Sequence, residues 1–121
     1  MPKVARKLFV AAILVMVGAL AVAGVTSAST SLRVKASKTK LAFNTKTLRA
    51  RHGTVTIVMS NPSALPHAIA VQGRGLNKKG RTVSKGGTSR VTVRLKRGTY
   101  TFYCPVDGHR AAGMKGKLIV S

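Results

Sequence analysis

Apolar and polar residues alternate with a period of two along most of the chain beyond residue 30. Leu32, Val34 and Ala36, for example, are separated by Arg33 and Lys35. This period places every second side chain on the same face, as in a strand that has one face on a hydrophobic core. The pattern recurs in residues 31–36, 53–61, 67–73, 89–95, 98–104 and 116–121.

Turn-forming residues separate these segments, and none of them has a helical period. Seven or eight short strands at close spacing predict an all-β fold, either a β-sandwich or a small barrel. Lys96-Arg97-Gly98 lies between two alternating segments and predicts a tight hairpin. Residues 73–88 form a polar excursion, a connecting segment with few apolar residues, in which we expect one strand with a weak alternation, from Arg81 to Lys85.

The N-terminal region has a different pattern. Three cations precede an uncharged apolar run from Leu8 to Val25, and small residues follow as far as Ala28. This layout predicts a secretory signal peptide over residues 1–28. The alternative is an uncleaved anchor helix, because the apolar run is just long enough to span a bilayer. In either case we expect residues 29–121 to form one domain outside the cytoplasm, in the periplasm, at the cell surface or secreted.

The charge of the chain is strongly one-sided. It has 22 Lys and Arg against one acidic residue, a formal net charge of +21. A single acid excludes catalysis by a pair of carboxylates, and the charge favours anionic partners such as an acidic protein, an anionic membrane or a cell-wall polymer. Aromatic residues are only 4% of the chain, so a base-stacking surface specific for nucleic acid is not expected.

The segment "CPVDGHRAAGM", residues 104–114, gathers rare residue types. It holds the only cysteine, the only acid, one of three histidines and one of four methionines. A lone cysteine cannot form an internal disulfide, and outside the cytoplasm it would be exposed to oxidation unless a metal ion protected it. Cys104 has the inward parity of Phe102, and His67 has that of Ile69, so both point towards the core.

Two imidazoles, one thiolate and one thioether are the donors of blue-copper electron-transfer sites. The sulfur donors favour Cu(I), and the imidazoles also suit Cu(II). Three other residues that could be considered have simpler interpretations: Met59 is expected in the core, His52 in an exposed turn, and Asp107 in a turn with Gly108.

The segments "NPSALPHAIAV" and "YTFYCPVDGHRAAGMKGKLIV" resemble the cupredoxins, the small blue copper proteins typified by plastocyanin and azurin. The resemblance covers roughly residues 32–121 and implies a Greek-key β-sandwich that binds one copper ion. The ligands that it implies are His67, Cys104, His109 and Met114. The Cys-x4-His-x4-Met spacing is most similar to that of rusticyanin and auracyanin.

The chain departs from the family pattern at Ala68. Many cupredoxins have asparagine directly after the upstream histidine, where its side chain ties the two ligand-bearing loops together. Partners of this kind orient metal ligands, so the tie must be supplied elsewhere or be missing.

The resemblance implies a one-electron carrier that is not an enzyme. Its partner would be an acidic redox protein or a membrane-bound electron-transfer complex, and we expect a monomer. The resemblance also implies that His109 lies nearest to solvent, within an apolar docking patch formed by Pro105, Val106, Ala111, Ala112 and Gly113.

Three alternatives use the same features. The four ligands would also serve copper storage or delivery, and the charge would also suit a basic secreted module that binds anionic polymers. A Cys104–His109 nucleophile is a further alternative, but no third group that would orient the histidine is evident.

Overall fold

The computed structural model describes Gly18 and residues 29–121, so the predicted signal or anchor segment, residues 1–28, lies outside the described residues except for Gly18. Within the described part the chain forms eight strands and no helix, which confirms the predicted all-β class. No helix there is long and apolar enough to cross a membrane. The strands are β1 (Ser29–Lys35), β2 (Thr47–Ala50), β3 (Gly53–Ser60), β4 (Ala70–Gly73), β5 (Leu76–Lys79), β6 (Thr88–Leu95), β7 (Gly98–Tyr103) and β8 (Lys115–Val120).

The strands form two sheets that face each other as a sandwich. One sheet has three strands in the order β1-β3-β6, and the other has five in the order β2-β8-β7-β4-β5. Both sheets are mixed, because β1 pairs with β3 and β2 with β8 in parallel, whereas the other pairs are antiparallel. The hydrophobic core of the described residues lies between these two sheets.

The period-two pattern predicts burial correctly on most strands. β6 alternates strictly between exposed and buried residues, and on β7 both Tyr100 and Phe102 are buried. Met59 is fully buried in β3, as expected for a core residue, and His52 is exposed. On β1 the expected inward residue Val34 is 3% exposed.

The predicted hairpin at Lys96-Arg97-Gly98 is wrong. β6 belongs to the three-stranded sheet and β7 to the five-stranded sheet, so these residues cross from one sheet to the other. The hydroxyl of Tyr100 donates a hydrogen bond to the carbonyl oxygen of Lys96 at 2.9 Å and fixes this crossing. Alternation indicates that two strands exist, but it does not indicate whether they pair with each other.

The strand predicted from Arg81 to Lys85 is also wrong. The strand of this excursion is β5, which begins at Leu76 after a tight turn with Arg74 and Gly75 in the left-handed region. Only Val83 in the predicted segment makes a bridge, and its partner is His67. β2 was not predicted either, because a strand of four residues is too short for its alternation to stand out.

Strand direction divides the sandwich into two ends. β3 and β7 run towards one end, where they lead into the segments that carry His67 and Cys104, and β8 begins there after Met114. We call this the site end. At the opposite end, the far end, β1 begins at Ser29, and β6 crosses to β7.

Candidate metal centre

The structure brings three of the predicted ligands together at the site end. The Nδ1 atoms of His67 and His109 are 3.1 Å apart. The sulfur of Cys104 lies 3.8 Å from Nδ1 of His67 and 3.6 Å from Nδ1 of His109. Three donors from two distant segments of the chain therefore form a compact triangle.

The triangle has the size that one transition-metal ion requires. A point equidistant from the three atoms lies about 2.0 Å from each, close to a zinc–imidazole bond of about 2.0–2.1 Å and slightly shorter than a zinc–thiolate bond of about 2.3 Å. One thiolate with two imidazoles is also the donor set that copper takes in trigonal sites. The residues present therefore fit a copper ion.

Met114, the fourth predicted ligand, is fully buried and is joined through its backbone to Cys104 and His109. Its amide donates a hydrogen bond to the carbonyl oxygen of His109 at 3.0 Å, and its own carbonyl oxygen accepts one from the amide of Cys104 at 3.0 Å. These two bonds close residues 104–114, the ligand loop, into a compact ring. Met114 thus lies where the loop returns to Cys104.

Turns inside the ligand loop set the position of His109. The His109 amide donates to the carbonyl oxygen of Val106, and Gly113 donates to Arg110, both at 3.0 Å. Gly108 and Gly113 have φ values of 76° and 113°, which favour glycine. Asp107 is exposed beside Gly108, as expected for a residue that lies in a turn.

His67 is held by a loop that a buried asparagine organises. The Nδ2 group of Asn61 donates to the carbonyl oxygens of Leu65 at 2.8 Å and Val83 at 2.9 Å. Its Oδ1 atom accepts from the amide of Ser63 at 3.0 Å. Asn61 was not among the predicted site residues, although the motif "NPSALPH" contains it; asparagine before proline is so common in turns that nothing marked it as a support for the site.

Ala68 contributes to the metal centre through its backbone amide. Ala68 is fully buried, and its amide lies 3.5 Å from the sulfur of Cys104 as a hydrogen-bond donor. This contact links the His67 segment to the ligand loop without using the side chain of residue 68. The link that the resemblance assigns to an asparagine side chain is therefore made here by this backbone contact, whereas the side-chain hydrogen bonds of Asn61 hold its own loop and Val83.

The environment of His67 favours the neutral imidazole. Burial lowers the pKa of His67 below its usual 6.5, and the neighbouring charge of His109 lowers it further. Because Nδ1 faces the other donors, the proton of the neutral ring belongs on Nε2 when Nδ1 binds a metal. Within residues 29–121, Nε2 is a buried atom without a hydrogen-bond partner in the protein, so this histidine lacks the usual second contact of a metal ligand.

Arg110 fixes the outer side of the ligand loop. Its guanidinium donates to the side-chain oxygen of Gln72 on β4 and stacks 4.2 Å above the ring of Tyr103 on β7. The Tyr103 hydroxyl donates in turn to Asn77 on β5. Arg110, which follows His109, is therefore attached directly to two strands and through Tyr103 to a third, a support that the sequence pattern did not reveal.

The surface around the site is partly apolar. Ala111 and Ala112 are exposed, and His109 is half-buried between them and the buried donors. Leu65, in the loop before His67, is the large hydrophobic residue that the described chain exposes most, at 50%. Of the other residues of the predicted patch, Pro105, Val106 and Gly113 are half-buried, and Leu65 is an exposed apolar residue that the sequence did not predict.

Comparisons with known proteins agree with this geometry. The model of the plastocyanin/azurin family of copper-binding proteins matches residues 30–121. A solved auracyanin from the photosynthetic bacterium Roseiflexus castenholzii aligns with a TM-score of 0.69 at 24% identity, covering 78% of this chain and 99% of that protein. Auracyanin A from Chloroflexus aurantiacus aligns at 0.67 and 23% identity, covering 78% and 100%.

A larger protein shares the same fold. The copper nitrite reductase of Nitrosomonas europaea aligns with a TM-score of 0.64 at 22% identity, covering 78% of this chain but 42% of the reductase. At these identities the structural likeness concerns the fold, whereas the family match spans nearly the whole described chain. The sandwich, the cluster of donors and this match together place the chain in the plastocyanin/azurin family of copper-binding proteins.

Proposed function

We propose that this protein is a blue copper electron carrier that holds one copper ion through His67, Cys104, His109 and Met114. The observation that supports this most strongly is the triangle of one sulfur and two nitrogens, 3.1–3.8 Å on its sides. Copper supplies exchange of one electron between Cu(I) and Cu(II). The role of the chain is to hold donors that suit both oxidation states.

Rigidity of the donors supports the carrier role. His67, Cys104 and Met114 are fully buried, and hydrogen bonds from Asn61 and within the ligand loop fix their backbone. Donors that cannot move far keep nearly the same geometry in both oxidation states. Little rearrangement is then needed when an electron enters or leaves.

His109 is the proposed route for the electron. It is the half-buried member of the triangle, and the exposed side chains of Leu65, Ala111 and Ala112 lie at the same end. A small apolar surface of this kind lets a partner bind close to His109 without fixing the partner in one orientation. The acidic redox partner, a soluble protein or a membrane-bound complex, would be attracted by the net charge of +21 in a salt-dependent manner.

We also propose that the protein works outside the cytoplasm as a monomer. The supporting feature is the cationic start followed by the apolar run to Val25, which has the layout of an export signal. Residues 1–28 would direct export, and residues 29–121 would carry the function. A lone cysteine whose sulfur is fully buried among metal donors is also compatible with an oxidising compartment.

The experiment that tests the carrier role is voltammetry of the copper-loaded protein combined with stopped-flow oxidation. We expect a reversible one-electron couple and rapid electron exchange with small inorganic oxidants. Copper that cannot be cycled without loss of the ion would contradict the proposal.

Storage or delivery of copper is the second use that these ligands would permit. The full burial of three of the four donors argues against it, because delivery requires an exchangeable ion. Incubation of the Cu(I) protein with a chelator separates the two functions. A carrier keeps its copper over many cycles, whereas rapid transfer of Cu(I) to the chelator would favour delivery.

A further inference from the structure

The far end of the sandwich carries a ring of arginine side chains. Six cations surround it, all exposed, and five of them are arginines; we call this set the arginine ring. Its members are Arg49, Arg51, Arg74, Arg94, Lys96 and Arg97. The only acidic side chain of the chain, Asp107, lies in the ligand loop at the opposite end, so it does not neutralise the ring.

Strand pairing determines this arrangement. β2 ends at Ala50 where β8 ends at Val120, so Arg49 and Arg51 flank that end of the five-stranded sheet. Arg94 pairs with Thr54 near the start of β3, and Lys96 and Arg97 form the crossing to β7. Arg74 lies in the turn between β4 and β5 and its side chain runs next to Gly98.

The site end has a different cationic composition. Lysines outnumber arginines towards this end by nine to four: Lys35, Lys38, Lys40, Lys46, Lys78, Lys79, Lys85, Lys115 and Lys117 against Arg33, Arg81, Arg90 and the half-buried Arg110. Lysine is a strongly hydrated point charge that acts mainly at a distance. Arginine is less hydrated and its planar fork binds phosphate oxygens in pairs, so the far end is the better phosphate-binding surface.

The chain also enters the fold at the far end. Ser29 begins β1 and pairs with Thr54, whose other neighbour across the sheet is Arg94. The residues before Ser29 include the apolar run from Leu8 to Val25, which is suited to a bilayer. The arginine ring therefore surrounds the point where the domain is joined to its membrane-directed segment.

From these observations we propose that the arginine ring binds the phosphate groups of an anionic lipid bilayer. Bound in this way, the domain stands on the membrane surface with its far end down, and the ligand loop and Leu65 face away from the lipid, towards a partner. Basic residues next to a membrane strengthen binding by about fivefold each. The arginine ring is therefore sufficient for attachment whether or not residues 1–28 are removed.

Vesicle binding tests the proposal. Residues 29–121, which contain both sheets and the hydrophobic core packed between them, are mixed with vesicles of phosphatidylcholine alone or with added phosphatidylglycerol, and the bound fraction is measured by sedimentation. We expect binding only when phosphatidylglycerol is present. The triple variant Arg51→Gln, Arg94→Gln, Arg97→Gln should bind about 100-fold more weakly.

The matched control changes the net charge equally at the other end. Lys38→Gln, Lys40→Gln, Lys85→Gln removes three exposed cations from the site end and should weaken binding by less than about fivefold, since these groups would not touch the lipid. Equal losses in the two triple variants would overturn the proposal, because binding would then follow net charge and not a surface. Absence of binding to phosphatidylglycerol vesicles would overturn it as well.

Orientation gives a second readout that does not depend on affinity. The chain has no tryptophan, so a single introduced tryptophan reports its own position. With brominated lipid in the vesicles, Ser121→Trp at the far end should be quenched and Leu65→Trp at the site end should not. The opposite result would overturn the orientation. Copper is not needed for either measurement, so failure here would leave the proposed electron transfer untouched.

Discussion

Asn61 is not one of the metal donors, yet the position of His67 depends on it. Its side chain makes three hydrogen bonds that hold residues 61–66 and the carbonyl of Val83 in place, and Val83 is the residue that bridges to His67. The donors could be predicted from sequence because cysteine and histidine are rare in this chain and lie at a recognisable spacing. Asn61, Arg110 and the Ala68 amide could not, because supporting contacts use common residues and backbone groups whose partners are distant in sequence.

Replacing Asn61 by alanine should therefore lower stability and alter the metal centre. Loss of the side chain leaves buried backbone groups without partners, and we expect a decrease in the free energy of unfolding of about 3 kcal/mol. Denaturant unfolding measures this loss, and the visible spectrum of the copper form should change with it. The matched control is Asn44→Ala, which removes one exposed hydrogen bond to the Lys35 amide and should cost less than about 1 kcal/mol. Equal costs for the two variants would contradict the role of Asn61.

Arg110 should tune the redox potential as well as hold the loop. Its positive charge disfavours Cu(II) relative to Cu(I), so Arg110→Gln should lower the potential. A nearby charge that is partly open to solvent, as Arg110 is, contributes up to about 1 kcal/mol, which corresponds to about 40 mV for one electron. Voltammetry measures the shift, and Arg49→Gln at the far end, with the same change of net charge, should leave the potential nearly constant. An unchanged potential in Arg110→Gln would show that its charge does not act on the site.

At the scale of elements, alternation predicted most strands but not the sheets to which they belong. β6 and β7 are adjacent in sequence with clear alternation, yet they lie in different sheets. Their sheets are set by long-range pairing, of β6 with β3 and of β7 with β4 and β8, and the hydrogen bond from Tyr100 to the carbonyl oxygen of Lys96 stabilises the crossing between them. A tyrosine on a strand gives no sign in the sequence of what its hydroxyl contacts, so a hairpin was the natural interpretation.

Removal of this hydroxyl should weaken the crossing. We expect Tyr100→Phe to lower the free energy of unfolding by about 1 kcal/mol, the usual net value of one hydrogen bond. Denaturant unfolding measures the change. The comparison variant is Thr92→Val, which breaks an exposed hydroxyl contact to Thr56 and should change stability much less. If the two variants were equally stable, the crossing would not depend on Tyr100.

At the scale of the whole molecule, the scarcity of acidic residues makes the histidines visible in acid titration. Most proteins lose stability in acid as carboxylates are protonated, but here one side-chain carboxyl exists. Burial lowers the pKa of His67 in the folded state, and the charge of His109 adds to this effect, so the unfolded chain binds this proton more tightly. With a single side-chain carboxyl in the chain, the effect of His67 protonation on stability is not masked by the titration of many carboxylates.

Copper-free protein should therefore become less stable as the pH falls below about 6.5, the pKa of unfolded histidine. The contribution of neutral His67 is fully present above that pH and decreases until the pH reaches the lower pKa of the folded state. Thermal unfolding at a series of pH values measures the slope. His67→Gln should reduce it, and His52→Gln, at an exposed position, should retain it. A melting temperature independent of pH between about 7 and 5 would contradict the lowered pKa of His67.

Addition of Cu(II) to the copper-free protein, followed by the visible spectrum, tests the central claim most directly. If His67, Cys104 and His109 hold one copper ion, the thiolate gives an intense charge-transfer band and a blue solution. Cys104→Ser should abolish the band, whereas Met114→Leu should shift it and retain most of its intensity, since a methionine thioether would be a weak copper ligand. A colourless protein after addition of Cu(II), or a band that survives in Cys104→Ser, would contradict the account.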